Sequence, residues 1–119
     1  MKLENYNDYK EYSVKIYDIR MSMSVLNWDQ ETKMPKNGSK FRAQQLSTLA
    51  KIAYELSTDD TYGKLLETLN NDQSLNSDQK RNIFLSRKEF LKNKKYSSAF
   101  IVKQSKLISK AFNDWRIAK

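Results

Sequence analysis

Residues 9–26 read YKEYSVKIYDIRMSMSVL, and this stretch decides the fold. Tyr9, Tyr12, Ile16, Ile19, Met23 and Leu26 recur at spacings of 3, 4, 3, 4 and 3, which lays one apolar stripe along a helix. Lys10, Lys15, Asp18 and Arg20 fall off that stripe. The spacing predicts a first helix from about Leu3 to Trp28. Met34-Pro35 closes the element, because proline pushes the residue before it out of the helical region. Lys36-Asn37-Gly38 then reads as a turn.

The same pattern continues downstream. Ser39 is the expected N-cap of a second helix reaching about Leu56, with Leu46, Leu49, Ala53 and Leu56 as its seam. Ser57-Thr58-Asp59-Asp60 reads as a turn capping a short third helix that carries Tyr62, Leu65, Leu66 and Leu69. Residues 70–76 form a polar connection. Ser77-Asp78 is the expected cap of a fourth helix whose inner face holds Ile83, Phe84 and Leu91, joined by Arg87 or Phe90. A break near Lys95 to Ser98 precedes a fifth helix with Ile101, Ile108, Ala111, Phe112 and Trp115 inside. Trp115 to Lys119 continues the helical pattern with no stop signal, as though the chain ended in mid-element. Met21, Met23 and Met34 read as packing filler.

The 119 residues include one proline and two glycines, too few breakers for a turn-rich sheet protein. The expected fold is therefore all-α: a single domain over 1–119, a bundle of about five helices with short, antiparallel connections. No internal repeat or linker interrupts it, and no apolar run approaches the roughly 20 residues of a bilayer span.

Composition removes several classes of chemistry. With no His and no Cys, the chain builds no Ser-His-Asp or Cys-His nucleophile, no His general base and no His/Cys zinc site. Disulfides are impossible, which fits a reducing, cytoplasmic compartment. Asp and Glu suit only hard ions, and the one calcium-like run, Asp72, Ser74 and Asn76, fails where an EF-hand needs glycine and glutamate: Ser77 and Ile83 stand there. Asp29 and Glu31 lie two apart and so face different sides of a helix, which suits structural pairing better than joint acid–base work. Residues 80–119 carry 12 basic and 2 acidic side chains, net +10, within a chain of net +8. Lys88, Lys92 and Lys95, and Lys103, Lys106 and Lys110, each form a helix-face stripe that would attract a phosphate backbone, although the stripes contain little arginine and no interleaved aromatics. Residues alone thus indicate a helical bundle without catalytic apparatus.

One block adds more. Val25-Leu26-Asn27-Trp28-Asp29-Gln30-Glu31-Thr32, then Met34-Pro35, Gly38 and Arg42-Ala43-Gln44-Gln45-Leu46, followed by Leu49-Ala50, resembles the N-terminal region of the thermostable carboxypeptidase Taq family. Ser57-Thr58-Asp59 into Tyr62-Gly63 and Leu65-Leu66, and Ser105 to Lys119, extend the similarity over almost the whole chain. The resemblance implies part of an all-helical metallocarboxypeptidase, which releases C-terminal residues from peptides with a zinc (or cobalt) ion held by a His-Glu-x-x-His helix and a further glutamate. None of those ligands is in this chain. What is matched is the helical portion that walls or lids the substrate groove, and it implies Trp28, Asp29, Thr32 and Arg42 as groove or inter-helix positions. A structural role is preferred for them, with Trp28 packed and Asp29 or Arg42 fixing the first helix junction.

The expectation is an N-terminal portion of a larger cytoplasmic zinc carboxypeptidase, inactive alone, whose partners are the rest of that enzyme and its peptide substrate. Apolar surface left by a missing remainder favours homo-oligomers. The rival is a free-standing basic helical module that binds nucleic acid or an acidic protein. No membrane role is expected.

Overall fold

The computed structural model describes residues 3–32 and 34–118. Among the described residues there are five α-helices: α1 (Tyr6–Thr32), α2 (Ser39–Ser57), α3 (Asp60–Asn70), α4 (Ser77–Asn93) and α5 (Ser98–Ala118). A short 3-10 turn over Lys36–Gly38 joins the first two, and no strand occurs among the described residues. No described helix is long and apolar enough to cross a membrane. α2 packs against both α5 and α1, while α3 packs against α4 and touches α1. The result is elongated, 55 × 25 × 25 Å. Its radius of gyration is 17.2 Å, against about 13–14 Å for a compact domain of this length.

α1 holds the ensemble together. It starts at Tyr6, where Asn5 Oδ1 accepts from the Asp8 amide and Asp8 Oδ2 accepts from the Glu4 and Asn5 amides. It continues to Thr32, one turn beyond the expected end, and closes with the Met34 amide donating to the Asp29 carbonyl at 2.8 Å. The expected stripe is indeed its inner face: Tyr9 is buried, and Tyr12, Ile16, Ile19, Met23 and Leu26 are half-buried.

The core lies at one end of the molecule, where Tyr9 of α1 meets Tyr62, Leu65, Leu66 and Leu69 of α3, Leu75 of the following loop and Ile83 of α4. Leu66 is 0% exposed and Ile83 is 1% exposed. Gly63 allows α4 to come this close: a Cβ there would sit 2.9 Å from Cε1 of Phe90. The Phe90 ring meets Tyr62 edge-on at 6.2 Å.

Two caps fall one residue earlier than expected. The N-cap of α2 is Gly38, with Ser39 already helical, because the turn delivers the chain in helical geometry and no side-chain bond is made. The N-cap of α4 is Asn76 rather than Ser77 or Asp78; Asn76 and Gln79 form a reciprocal capping box. Within the expected capping turn 57–60, the N-cap of α3 is Asp59, which accepts from the Thr61 and Tyr62 amides. The inner faces of α4 and α5 differ more. Phe84 and Leu91 are exposed, since α3, with parts of α1 and α2, covers α4 on one side, leaving Ile83 and Phe90 as its inward residues. Arg87 instead reaches Glu67, Nε to Oε1 at 2.6 Å. On α5, Ile101 and Phe112 are half-buried, but Ile108, Ala111 and Trp115 are exposed, because α2 covers α5 on the other side, where Ser109 is buried. Met34 is buried and Met23 half-buried, whereas Met21 lies on the outer side of α1.

Tyr12 illustrates how polar groups support this packing. Its hydroxyl donates to the Leu56 carbonyl at 2.6 Å, one of the α2 carbonyls left without a helical partner, while its ring stacks on Tyr62 at 4.4 Å. Burial first, then the nearby Asp59 carboxylate, pushes its pKa up to about 12. Burial also raises Tyr62. An unfolded tyrosine ionises near pH ~10, so the folded form keeps its proton where the unfolded form loses it. The stability Tyr12 contributes is complete below pH ~10 and is lost as pH rises toward about 12. Urea midpoints measured across that interval should fall, and Tyr12→Phe should fall less steeply. Equal slopes would remove Tyr12 from the alkaline transition.

Candidate functional site at the α1–α2 junction

The residues that carry the sequence resemblance converge where α1 ends and α2 begins. Arg42 sits in the first turns of α2, its side chain only 14% exposed. Its Nη2 pairs with Asp29 Oδ2 at 2.9 Å, its Nη1 donates to the Leu26 carbonyl at 2.7 Å, and its Nε donates to Gln45 Oε1 at 3.0 Å. Two atoms of one rigid fork therefore bind one turn of α1, while the third holds Gln45 on its own helix. The pairing also has an electrostatic logic. A carboxylate near a helix C-terminus and a cation near a helix N-terminus are each badly placed against the helix dipole. Bringing Asp29 and Arg42 together neutralises both.

The rest of the block shapes the corner. Thr32 Oγ1 donates to the Trp28 carbonyl at 2.8 Å, which occupies its hydroxyl within α1. Met34 folds under the turn, and a Cβ on Gly38 would lie 3.1 Å from Met34 Cγ, tight enough to displace it. Gln30, 4% exposed, and Leu46, 3% exposed, fill the interior of the junction. At the far end of α2, Arg20 Nη2 reaches Ser57 Oγ at 3.3 Å and ties α1 to the last residue of that helix.

Of the four residues singled out in the sequence, Asp29 and Arg42 are thus in direct contact, and Thr32 closes on α1 itself. Trp28 departs from the expected packing: it is 57% exposed. Its neighbours explain this. Val14, Tyr17, Met21, Val25 and Trp28 are all exposed and fall at spacings of 3, 4, 4 and 3. They form a second apolar stripe on the face of α1 turned away from α2 and α3. Reading α1 for one stripe overlooked it, although the spacing was present in the sequence.

Glu31 is exposed and α1 is unbroken through Thr32, so Asp29 and Glu31 flank no common space. The Asp72 loop closes on itself: the Ser74 amide and hydroxyl both donate to Asp72 Oδ1, lowering the Asp72 pKa. No group of three His, Cys, Asp or Glu able to hold a metal ion occurs among the described residues. No catalytic step is assigned to the described residues.

The family model for carboxypeptidase Taq (M32) metallopeptidases matches residues 8–119. The chain belongs to this all-helical metallopeptidase family. A solved structure described as "The Structure of CHT" is 41% identical, with a TM-score of 0.77 over 95% of this chain. The chain spans 23% of that protein's length. No curated protein matches it.

Proposed function

We propose that this chain is the N-terminal helical part of a metal-dependent carboxypeptidase, forming a wall or lid of the peptide groove and inactive alone. The observation that carries this reading is the pairing of a family match over residues 8–119 with coverage of only 23% of a solved relative at 41% identity. The metal, zinc or cobalt, and the His-Glu-x-x-His helix that holds it belong to the remainder, since this chain has no histidine. The outer stripe of α1 is the surface that meets that remainder. A helix apolar on two sides suits the interior of a larger fold, and here only one side is covered. Uncovered, the stripe also favours self-association of the chain. The Arg42–Asp29 clamp then sets the angle at which α1 and α2 present Trp28.

Trp28→Ala separates the possibilities. In the 119-residue chain it should change unfolding free energy by less than about 0.5 kcal/mol, as for an exposed side chain. In the complete metallopeptidase the same substitution should cost about 2–4 kcal/mol through lost packing, with turnover retained by the folded fraction. Equal small effects in both would show that the stripe meets nothing. A folded full-length variant with lost turnover would move Trp28 into the substrate groove. The chain alone, supplied with zinc or cobalt, should release no C-terminal residue from a peptide; release would overturn the proposal.

A further inference from the structure

The turn that sets the α1–α2 corner holds a reactive pair of neighbours. Asn37 is exposed, and it alone of the chain's ten asparagines precedes a glycine. Asparagine is a thermolabile side chain, and glycine, without a Cβ, gives the least hindered amide nitrogen to approach its carbonyl. Other asparagines are held. Asn76 Oδ1 accepts from the Gln79 amide at 2.9 Å, and Asn71 Nδ2 donates to the Glu67 carbonyl at 3.1 Å. The Asn37 side chain forms no hydrogen bond with another described residue. The turn around it is closed by one main-chain bond, from the Gly38 amide to the Pro35 carbonyl at 2.9 Å, and no side chain caps it. Packing keeps the pair in place, since a Cβ on Gly38 would lie 3.1 Å from Met34 Cγ.

We propose that Asn37 is a site of spontaneous deamidation that lengthens this corner. The Gly38 nitrogen gives its proton to solvent base and bonds to Asn37 Cγ. The Cγ–Nδ2 bond breaks, and Nδ2 takes a proton from water and leaves as ammonia. Water then opens the cyclic imide at one of its two carbonyls. Opening at Cγ restores the ordinary backbone with an aspartate side chain. Opening at the main-chain carbonyl leaves the chain running through Cβ and Cγ as isoaspartate, one atom longer, with a new carboxylate. Water is the sole co-reactant, and the nucleophile is the next residue of the same chain, so no partner surface is needed. The turn is the brake: the Gly38 amide must leave the Pro35 carbonyl before the ring closes, so reaction follows local opening of this exposed segment. The two products differ in effect. An aspartate adds negative charge beside the N-terminus of α2, where the helix dipole favours it. An isoaspartate puts its extra atom into the turn itself, which displaces the start of α2 and loosens the Arg42–Asp29 clamp. This assignment is independent of the peptidase reading.

The test holds the folded 119-residue chain in mildly alkaline buffer and follows each asparagine over days by peptide mapping and mass spectrometry. Asn37 should exchange its amide for a carboxylate about tenfold faster than Asn76 or more, with isoaspartate as the larger product. The same chain in urea should react faster still at Asn37, because the turn no longer restrains the Gly38 amide. Asn37→Gln keeps an amide but would need a larger ring, and it should abolish the reaction at this position. The aged chain should then unfold at a lower urea concentration than freshly prepared Asn37→Asp, which carries the same charge without the extra atom. Reaction at Asn37 no faster than at Asn76 in the folded chain, or reaction only in urea, would overturn the proposal. So would equal urea midpoints for the aged chain and Asn37→Asp, since the corner would then tolerate the longer backbone.

Discussion

Leu66→Ala should lower the unfolding free energy by about 3–5 kcal/mol, a large share of the stability of a domain that has only about 5–15 kcal/mol in total. Leu66 is fully enclosed at the meeting of α1, α3 and α4, with Leu65, Leu69 and Ile83 each no more than 2% exposed around it. Truncation removes three carbons from water-free surroundings and leaves a cavity that three helices cannot all close. Urea unfolding is the measurement, with an unchanged denaturant slope as the check that the unfolded state is the same. Phe84→Ala is the internal control. Phe84 is larger, yet it is 61% exposed, and its loss should stay within about 0.5 kcal/mol. Reversal of that order would place the core on the other side of α4.

Arg42→Ala should cost about 2–3 kcal/mol. The substitution removes three polar contacts and leaves the Asp29 carboxylate, 35% exposed, without its cation at the C-terminal end of α1. Because Asp29 retains some access to water, the loss falls below that of a fully buried ion pair. Arg42→Lys should recover less than half of it: an ammonium on a flexible stem cannot meet Asp29, the Leu26 carbonyl and Gln45 together. Asp29→Asn should cost about 1 kcal/mol, and the double substitution should show a coupling energy of about 1 kcal/mol. Additive single effects would reduce the clamp to two independent surface residues.

Helix number and the inner face of α1 were legible in the sequence because a 3.6-residue period is a local property. The inward residues of α3 were legible for the same reason, and so was the capping turn 57–60, within which Asp59 satisfies amides only two and three residues away. The errors share one cause. Phe84, Leu91, Ile108 and Trp115 lie on apolar helix faces, yet whether such a face is buried depends on another element arriving to cover it. No local pattern encodes that arrival. Trp28 is the same case in sharper form: its stripe is plain in the spacing, but only the packing of α2 and α3 shows that it is the uncovered one. The clamp was half legible. Asp29 and Arg42 were marked as junction residues, whereas Gln45 and the Leu26 carbonyl became partners only once α2 had folded back along α1.

Periodicity, scarce glycine and proline, and the absence of histidine and cysteine by themselves determined that this is a helical chain without a His- or Cys-built catalytic centre, and the block around Trp28 determined its family. The tertiary structure decided which of two apolar stripes on α1 is core and that Arg42 holds the corner through three atoms. The division is physical. A residue's conformation and chemistry are fixed within a few neighbours of chain, while burial, ion pairing and grooves come from segments tens of residues apart meeting in space.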